Sequence, residues 1–368
     1  MSLLKKVTAA AAASAIALSL ASCGKDTTWG ADIDGTRLRA GILIYFQSEA
    51  LADAYGYMGE NDTNVLDITI EGQPARDWIN NKAIEDMRKY VAVENKFSEL
   101  GLSFQNKEDE LAKINLQQWW EYIGAYYEAM GIGEQSYMDA GLNDTKKSAL
   151  FNYYYGEGGE KAASEDEIKS YLEDNYARIR YIEMPLKDGE GNILKSDEKA
   201  DVLKMAEDYL ERAKNGESFD VLSKEYDEYS ASISGSGSEE TETTAIELFG
   251  SEDSAVSEEA SVAAGPNYGT VITKVSVLPS ASVVEKVFSG EMTDNSYAIV
   301  EEYEVCYVVY RMGLYDDERF IENNSNTARH ALKDEEFEQM IDSWVASQNA
   351  VINNDAIDRY TIDKLAAY

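Results

Sequence analysis

The sequence predicts an α+β protein: a helical half, then a smaller part in which a sheet alternates with helices. Three observations carry that prediction. Apolar residues recur at helical spacing from about residue 36 to residue 176, alternation with a period of two takes over at 177–184 and 305–310, and an amphipathic helical pattern returns over 334–350.

The front of the chain reads as an export signal. Lys5 and Lys6 precede an apolar run over 7–20, and small residues then lead into Leu20-Ala21-Ser22-Cys23. The run is shorter than the roughly 20 apolar residues that a spanning helix needs. Cysteine directly after Leu-Ala-Ser resembles the lipobox of bacterial lipoproteins. That resemblance implies removal of 1–22, attachment of a diacylglyceryl group to the Cys23 sulfur, and a place on the extracytoplasmic face of a bacterial cell membrane. Two acyl chains bury enough methylenes, at about 0.8 kcal/mol each, for stable anchoring. Residues 23–34 then read as a short polar tether carrying the lipid.

Helical signals follow. Pro74 suits a first helical position, and Trp78, Ile84, Met87, Val91 and Phe97 recur at near-helical intervals until Gly101. A second helix is expected over 106–130, stopped by Gly131, and a third over 134–155, ended by Gly156. Ser164-Glu165-Asp166-Glu167 has capping-box spacing, which predicts a fourth helix from there to Tyr176. The period-two strand at 177–184 ends at Pro185. Helices are expected next over 196–215 and 219–226, and strands at 271–277 and 305–310. Residues 231–267 are rich in Ser, Glu, Thr, Ala and Gly, so they bury little and read as an acidic disordered insertion.

Composition removes several chemistries. The chain has 33 basic and 69 acidic residues and a net charge of −36, which argues against nucleic acid and anionic lipid surfaces as partners. With Cys23 lipidated, Cys306 has no cysteine to bridge to. His330 is the only histidine, so a Cys/His zinc site is excluded and a Ser-His-Asp relay depends on that one residue. The acidic stretch 188–192 fails the EF-hand pattern, because Ile193 replaces the required Gly and Lys199 the bidentate Glu. No metal and no cofactor are expected.

The strand at 177–184, the helix after it and Asn215-Gly216-Glu217-Ser218-Phe219-Asp220-Val221-Leu222-Ser223-Lys224-Glu225-Tyr226 resemble the parvulin domain of extracytoplasmic foldases. Gly290-Glu291-Met292-Thr293 is similar to a later turn of that family, and Cys306-Tyr307-Val308-Val309 to its last strand. Asp34-Gly35-Thr36 resembles the start of a PrsA/SurA-like chaperone domain. Tyr153-Tyr154-Tyr155-Gly156 resembles the join before the isomerase unit, and the helix bearing Trp344 the C-terminal helix that folds back on the N-terminal one. The resemblance covers most of the mature chain. It implies a helical chaperone domain built from both chain ends, 35–163 with 325–368, and a connecting helix at 164–176. Between the ends it implies an inserted parvulin-like domain at 177–316, a small antiparallel sheet flanked by helices.

The chain departs from the family at the catalytic positions. Active parvulins carry a histidine on the first strand and another on the last, and Tyr181 and Tyr307 stand there instead. Only Leu248-Phe249-Gly250 matches part of the family's glycine-rich loop, and Val277, Leu278, Val283 and Val284 replace its Met and Phe pocket. Prolyl isomerisation must lower a barrier of about 18–20 kcal/mol. Tyrosine can both donate and accept a hydrogen bond, so Tyr181 and Tyr307 are the candidate catalytic residues, with weak or absent turnover expected.

Holding unfolded exported polypeptides needs adaptable apolar surface instead. Trp119, Trp120, Tyr126 and Tyr127 lie in a dense aromatic stretch, and aromatics give large contact area at small entropic cost. Adjacent Trp119 and Trp120 point about 100° apart on a helix, so they should not share one core. These four, with Met184, Val277, Leu278 and Val284, are the candidate peptide-groove residues. The reading is a membrane-anchored chaperone or foldase. The alternatives are a solute-binding lipoprotein of a transporter, which needs repeated strand-helix alternation, and an inert envelope scaffold.

Overall fold

The computed structural model describes residues 28–60, 62–104, 107–188, 190–234, 269–317, 319–359 and 361–367. The expected signal, Cys23, Leu248-Phe249-Gly250 and most of the expected insertion lie outside the described residues. In chain order the elements are β1 (Trp29–Ile33), β2 (Thr36–Arg39), α1 (Ala40–Tyr55), β3 (Thr69–Ile70), β4 (Gln73–Pro74), α2 (Ala75–Glu99), α3 (Glu108–Met130), α4 (Glu134–Tyr155) and α5 (Glu165–Asn175). After them come β5 (Tyr176–Pro185), α6 (Ser196–Lys214), α7 (Phe219–Ser234), β6 (Thr270–Thr273), α8 (Ala281–Phe288), β7 (Ser296–Glu301), β8 (Val305–Met312), α9 (Arg319–Val345), β9 (Ala350–Ile352), α10 (Asn354–Arg359) and α11 (Ile362–Leu365). The protein is α+β. Among the described residues, those up to Ala163 form one compact unit with those from Lys333 onward, and those from Ser164 to Leu332 form the other. No described helix is long and apolar enough to cross a membrane.

The first unit joins its two chain segments through a three-stranded sheet in the order β2-β1-β9. Asp34 and Gly35 have φ of 48° and 86°, the left-handed pair of a tight Asp-Gly hairpin, with Ile33 opposite Thr36. On the other side of β1, Asp32 lies opposite Val351. The ladder continues past the strand ends: the Asn353 N–H donates to the Gly30 carbonyl at 2.9 Å and the Asp34 N–H to the Asn349 carbonyl at 3.1 Å. The Asn353 side-chain amide donates to the Trp29 carbonyl at 2.7 Å.

This sheet amends two expectations. Residues 29–33 are a strand, not tether, and the helical unit is not purely helical. Strands of 5, 4 and 3 residues are too short to show a period, and β9 gains its partner only from the far end of the chain.

Helices pack on that base. Ile42 and Leu43 of α1 bury against Ala31, Ile33, Met87 and Val91. The second half of α1 meets Trp78, Ile79, Met130 and Tyr137, and Ile362 and Leu365 of α11 close the same cluster. Phe337 and Ile341 of α9 bury against Phe97, Leu150, Phe151 and Tyr155. Trp344 sits 6.3 Å from the Tyr154 ring, with the Lys96 ammonium 5.4 Å from its own ring. α9 starts at Arg319, well before the expected 334, where Asp317 accepts from the Arg319 N–H at 3.1 Å. Its buried Phe320 and Ala328 are too far apart to form a stripe. α3 ends where expected, at Gly131, whose φ of 98° lets the Ile132 N–H reach the Tyr127 carbonyl at 2.9 Å.

The second unit is a four-stranded antiparallel sheet in the order β6-β5-β8-β7. Alternation along β5 and β8 sorts side chains to two faces. Ile182, Met184, Cys306 and Val308 face α6 and α7, burying Ala206, Tyr209, Phe219 and Leu222. Ile179, Tyr307 and Val309 face α8, burying Val283, Val284 and Val287. β6 stops at Thr273 in a turn, so the strand expected over 271–277 is shorter, and α7 runs on to Ser234, into the segment expected to be insertion. α5 and the part of α9 before Lys333 group with this unit.

The capping box at the head of α5 is complete: the Glu167 N–H donates to Ser164 Oγ at 3.2 Å, and the Ser164 N–H to Glu167 Oε2 at 2.8 Å. Replacing Ser164 with Ala should cost about 1 kcal/mol, read as a lower urea midpoint for the second unit. An unchanged midpoint would show that the cap does not anchor α5.

Candidate functional site

α3 is apolar on two faces. Leu116, Trp120, Ile123 and Tyr127 pack inward on the cluster that contains Met130 and Tyr137. Trp120 and Tyr127 stack with rings 6.5 Å apart and 3° between planes, and both rings lie 5.4 Å from Tyr137. A Cβ at Gly124 would come within 2.7 Å of the Trp120 ring, so glycine is what lets that indole lie flat along the helix. On the other face, Trp119, Tyr122 and Tyr126 are 61, 86 and 51% exposed. At 100° per residue these three fall within about 60° of one another, and exposed Leu111, about 20° from Tyr122, extends the stripe toward the helix start. The sequence reasoning missed Leu111, although the same helical arithmetic includes it, whereas exposed Ile114 lies off the stripe. Charge does not explain an outward aromatic stripe; adaptable apolar contact does.

The second candidate is the tyrosine pair. Across the β5–β8 ladder Tyr181 lies opposite Val309 and Tyr307 opposite Glu183, so the two tyrosines are diagonal neighbours on one face. Their rings are 6.0 Å apart at 76°, an edge-to-face contact. Burial pushes both phenols up, and Glu183 adds to the shift in each case. They are therefore neutral hydrogen-bond donors at neutral pH rather than bases. Cys306 lies on the opposite face, and burial pushes its thiol up to about 11, so it is not a thiolate nucleophile. Tyr307 is buried and Tyr181 half-buried, both packed on the α8 side of the sheet, so the pair is two neutral phenols within the core cluster and not a nucleophile.

The remaining groove candidates are not brought together. Met184 is fully buried on the α6–α7 side and cannot line a groove with Val277 and Leu278, which are 72 and 55% exposed in the loop before α8. Val284 is buried in α8 and faces the sheet. Period-two geometry explains the split: Met184 and Tyr181 are an odd number of residues apart, hence on opposite faces. Trp120 and Tyr127 belong to the core, whereas Trp119 and Tyr126 are exposed.

No family model matches the chain, and no curated protein matches it. Among solved structures, the foldase protein PrsA from Lactococcus lactis is similar, at 9% identity and a TM-score of 0.35, over 91% of this chain and 99% of that one. The foldase protein PrsA from Streptococcus pneumoniae is similar at 12% identity and a TM-score of 0.33, over 80% of this chain and 98% of that one. At such values the site has to be read from its own residues.

Glu49, an exposed residue of α1 whose charge acts on Tyr45, Tyr127 and Tyr137, has a carboxyl pushed up from its ordinary value. Partial desolvation is the first cause, and the charges of Asp53, Asp144 and Asp86 add to it. A carboxyl whose folded pKa exceeds its unfolded value favours folding when protonated, and that contribution is lost as pH rises through the folded pKa. Glu49→Gln should therefore raise the thermal midpoint at neutral pH, with the gain shrinking as pH falls through the carboxylate range. A gain of equal size at both ends of that range would contradict the assignment.

Proposed function

We propose that the protein is a membrane-anchored extracytoplasmic chaperone, a foldase with weak or absent prolyl isomerase activity, whose clients are exported polypeptides in unfolded form. The observation that carries this reading is the exposed stripe Trp119, Tyr122 and Tyr126 on a helix whose other face is already committed to the core. A chain with a net charge of −36 stays soluble while presenting such a surface, and aromatic side chains bind varied sequences with little loss of rotamer freedom. The lipobox-like Leu20-Ala21-Ser22-Cys23 supports export and anchoring through Cys23. In this reading the unit built from both chain ends holds clients. The sheet unit is a parvulin-like domain whose two histidine positions are occupied by Tyr181 and Tyr307, with an acidic insertion at about 231–267 whose first residues continue α7 to Ser234. The solute-binding alternative calls for parallel-sheet lobes, whereas every strand pair among the described residues is antiparallel.

The test pairs two assays on the purified protein. Aggregation of a chemically unfolded client should be slowed, and the triple variant Trp119→Ser, Tyr122→Ser, Tyr126→Ser should lose most of that effect while keeping its thermal midpoint, because the three side chains are exposed. Isomerisation of a proline tetrapeptide should stay near background. The reading fails if the triple variant protects as well as the parent. Robust isomerisation abolished by Tyr181→Phe or Tyr307→Phe would instead make the sheet unit a working enzyme.

A further inference from the structure

A second surface of the first unit has a different chemistry. Between α2, the end of α9 and β9 lies an open cleft of about 590 Å³, within the size range of ligand sites. Its apolar wall is Ile84, Val345 and Ile352, and Arg88 projects into the same space. The Arg88 Nε is buried and has no hydrogen-bond partner among the described residues. A buried guanidinium donor left unsatisfied is unfavourable, and an incoming acceptor would relieve it. Glu85 and Asp342 also line the cleft, but Lys89 holds both, 3.6 Å from Glu85 and 3.0 Å from Asp342. Among the described residues that line the cleft, Arg88 is the cation that no ion pair holds.

The cleft is also bordered by an open sheet edge. β9 pairs with β1 on one side and is the outer strand of the sheet among the described residues. Asn349, Val351 and Asn353 turn their backbone groups toward β1, as the bonds Asp34 N–H to Asn349 carbonyl and Asn353 N–H to Gly30 carbonyl show. In an antiparallel ladder the residues between them face away. The N–H and C=O groups of Ala350 and Ile352 therefore point outward, and these two residues line the cleft. An unpaired edge beside an apolar wall is a template for an added strand.

We propose that this cleft binds an extended polypeptide segment by strand addition to β9, with an acidic side chain of the segment paired to Arg88 and an apolar side chain two residues away seated against Ile84 and Val345. The i, i+2 spacing follows from the strand repeat, which puts alternate side chains on one face. With only Ala350–Ile352 to pair with, the bound segment is short. Flanking carboxylates on the segment would be repelled by Glu85 and Asp342, so one isolated acid in an apolar context is the favoured pattern. The proposal deepens the client-holding reading by naming a sequence class, and it does not depend on the α3 stripe.

The test uses the full chain and a short fluorescent peptide of apolar residues with one central glutamate, capped at both ends. Binding should be saturable, and Arg88→Gln should weaken it about tenfold, as expected for a charge-assisted pair. Changing the peptide glutamate to glutamine should weaken it similarly, with no further loss in the Arg88→Gln protein. N-methylation of alternate peptide amides should abolish binding, and the triple α3 variant should bind unchanged, which separates failure here from failure of the aromatic stripe. Equal affinity for the glutamate and glutamine peptides would overturn the proposal without any protein variant. It would also be overturned if a glutamine peptide with a free terminal carboxylate bound as tightly through Arg88.

Discussion

The pairing of β1 with β9 is the constraint on which the first unit depends. It joins Trp29 to Asn353, more than three hundred positions apart in sequence, by backbone and side-chain hydrogen bonds. Closing so long a loop costs entropy that grows only slowly with length, so a three-residue strand can hold if other groups add to it. They do: Phe337 and Ile341 bury against α2 and α4, and Ile362 and Leu365 join the α1–α2 cluster. Fully burying such a side chain is worth about 1.5–3 kcal/mol. With the C-terminal segment so docked, α2 and β9 together shape the Arg88 cleft.

Function follows from how that scaffold spends its apolar residues. α3 needs one face for the core and carries a second, with glycine at 124 allowing Trp120 to lie flat beneath while Trp119 points out. A helix made only for stability would carry polar residues there. The sheet unit differs in kind. Its strands bury apolar residues on both faces, and its two tyrosines are neutral donors in edge-to-face contact rather than an acid–base pair. An exposed aromatic stripe on one unit, and two neutral tyrosines in the sheet of the other, are the observations on which the proposed holding role rests.

Much of this was legible in the residues, for local reasons. The capping box at Ser164, the stop at Gly131 and the alternation along β5 act over a few neighbours, and the structure has each of them where the pattern puts it. The β1–β2–β9 sheet was not legible, because three short strands carry no period and one of them is contributed by the far end of the chain. α9 was placed too late because its first turns bury only Phe320 and Ala328. Met184 went to the wrong face as a groove residue, since a list of apolar residues does not record parity along a strand. Arg88 gave no signal, because an unpaired donor is visible only once its surroundings are known.

The most direct measurement is a designed crosslink between the chain ends. Asp32 and Val351 are directly opposite in the ladder, and such hydrogen-bonded antiparallel pairs bring Cα atoms to about 5.5 Å, within disulfide range. In the double variant Asp32→Cys, Val351→Cys, oxidation should link the two ends nearly completely in the native protein and raise its thermal midpoint, with the gain lost on reduction. Free thiols after oxidation of the folded protein, or a linked form less stable than the reduced one, would contradict the account.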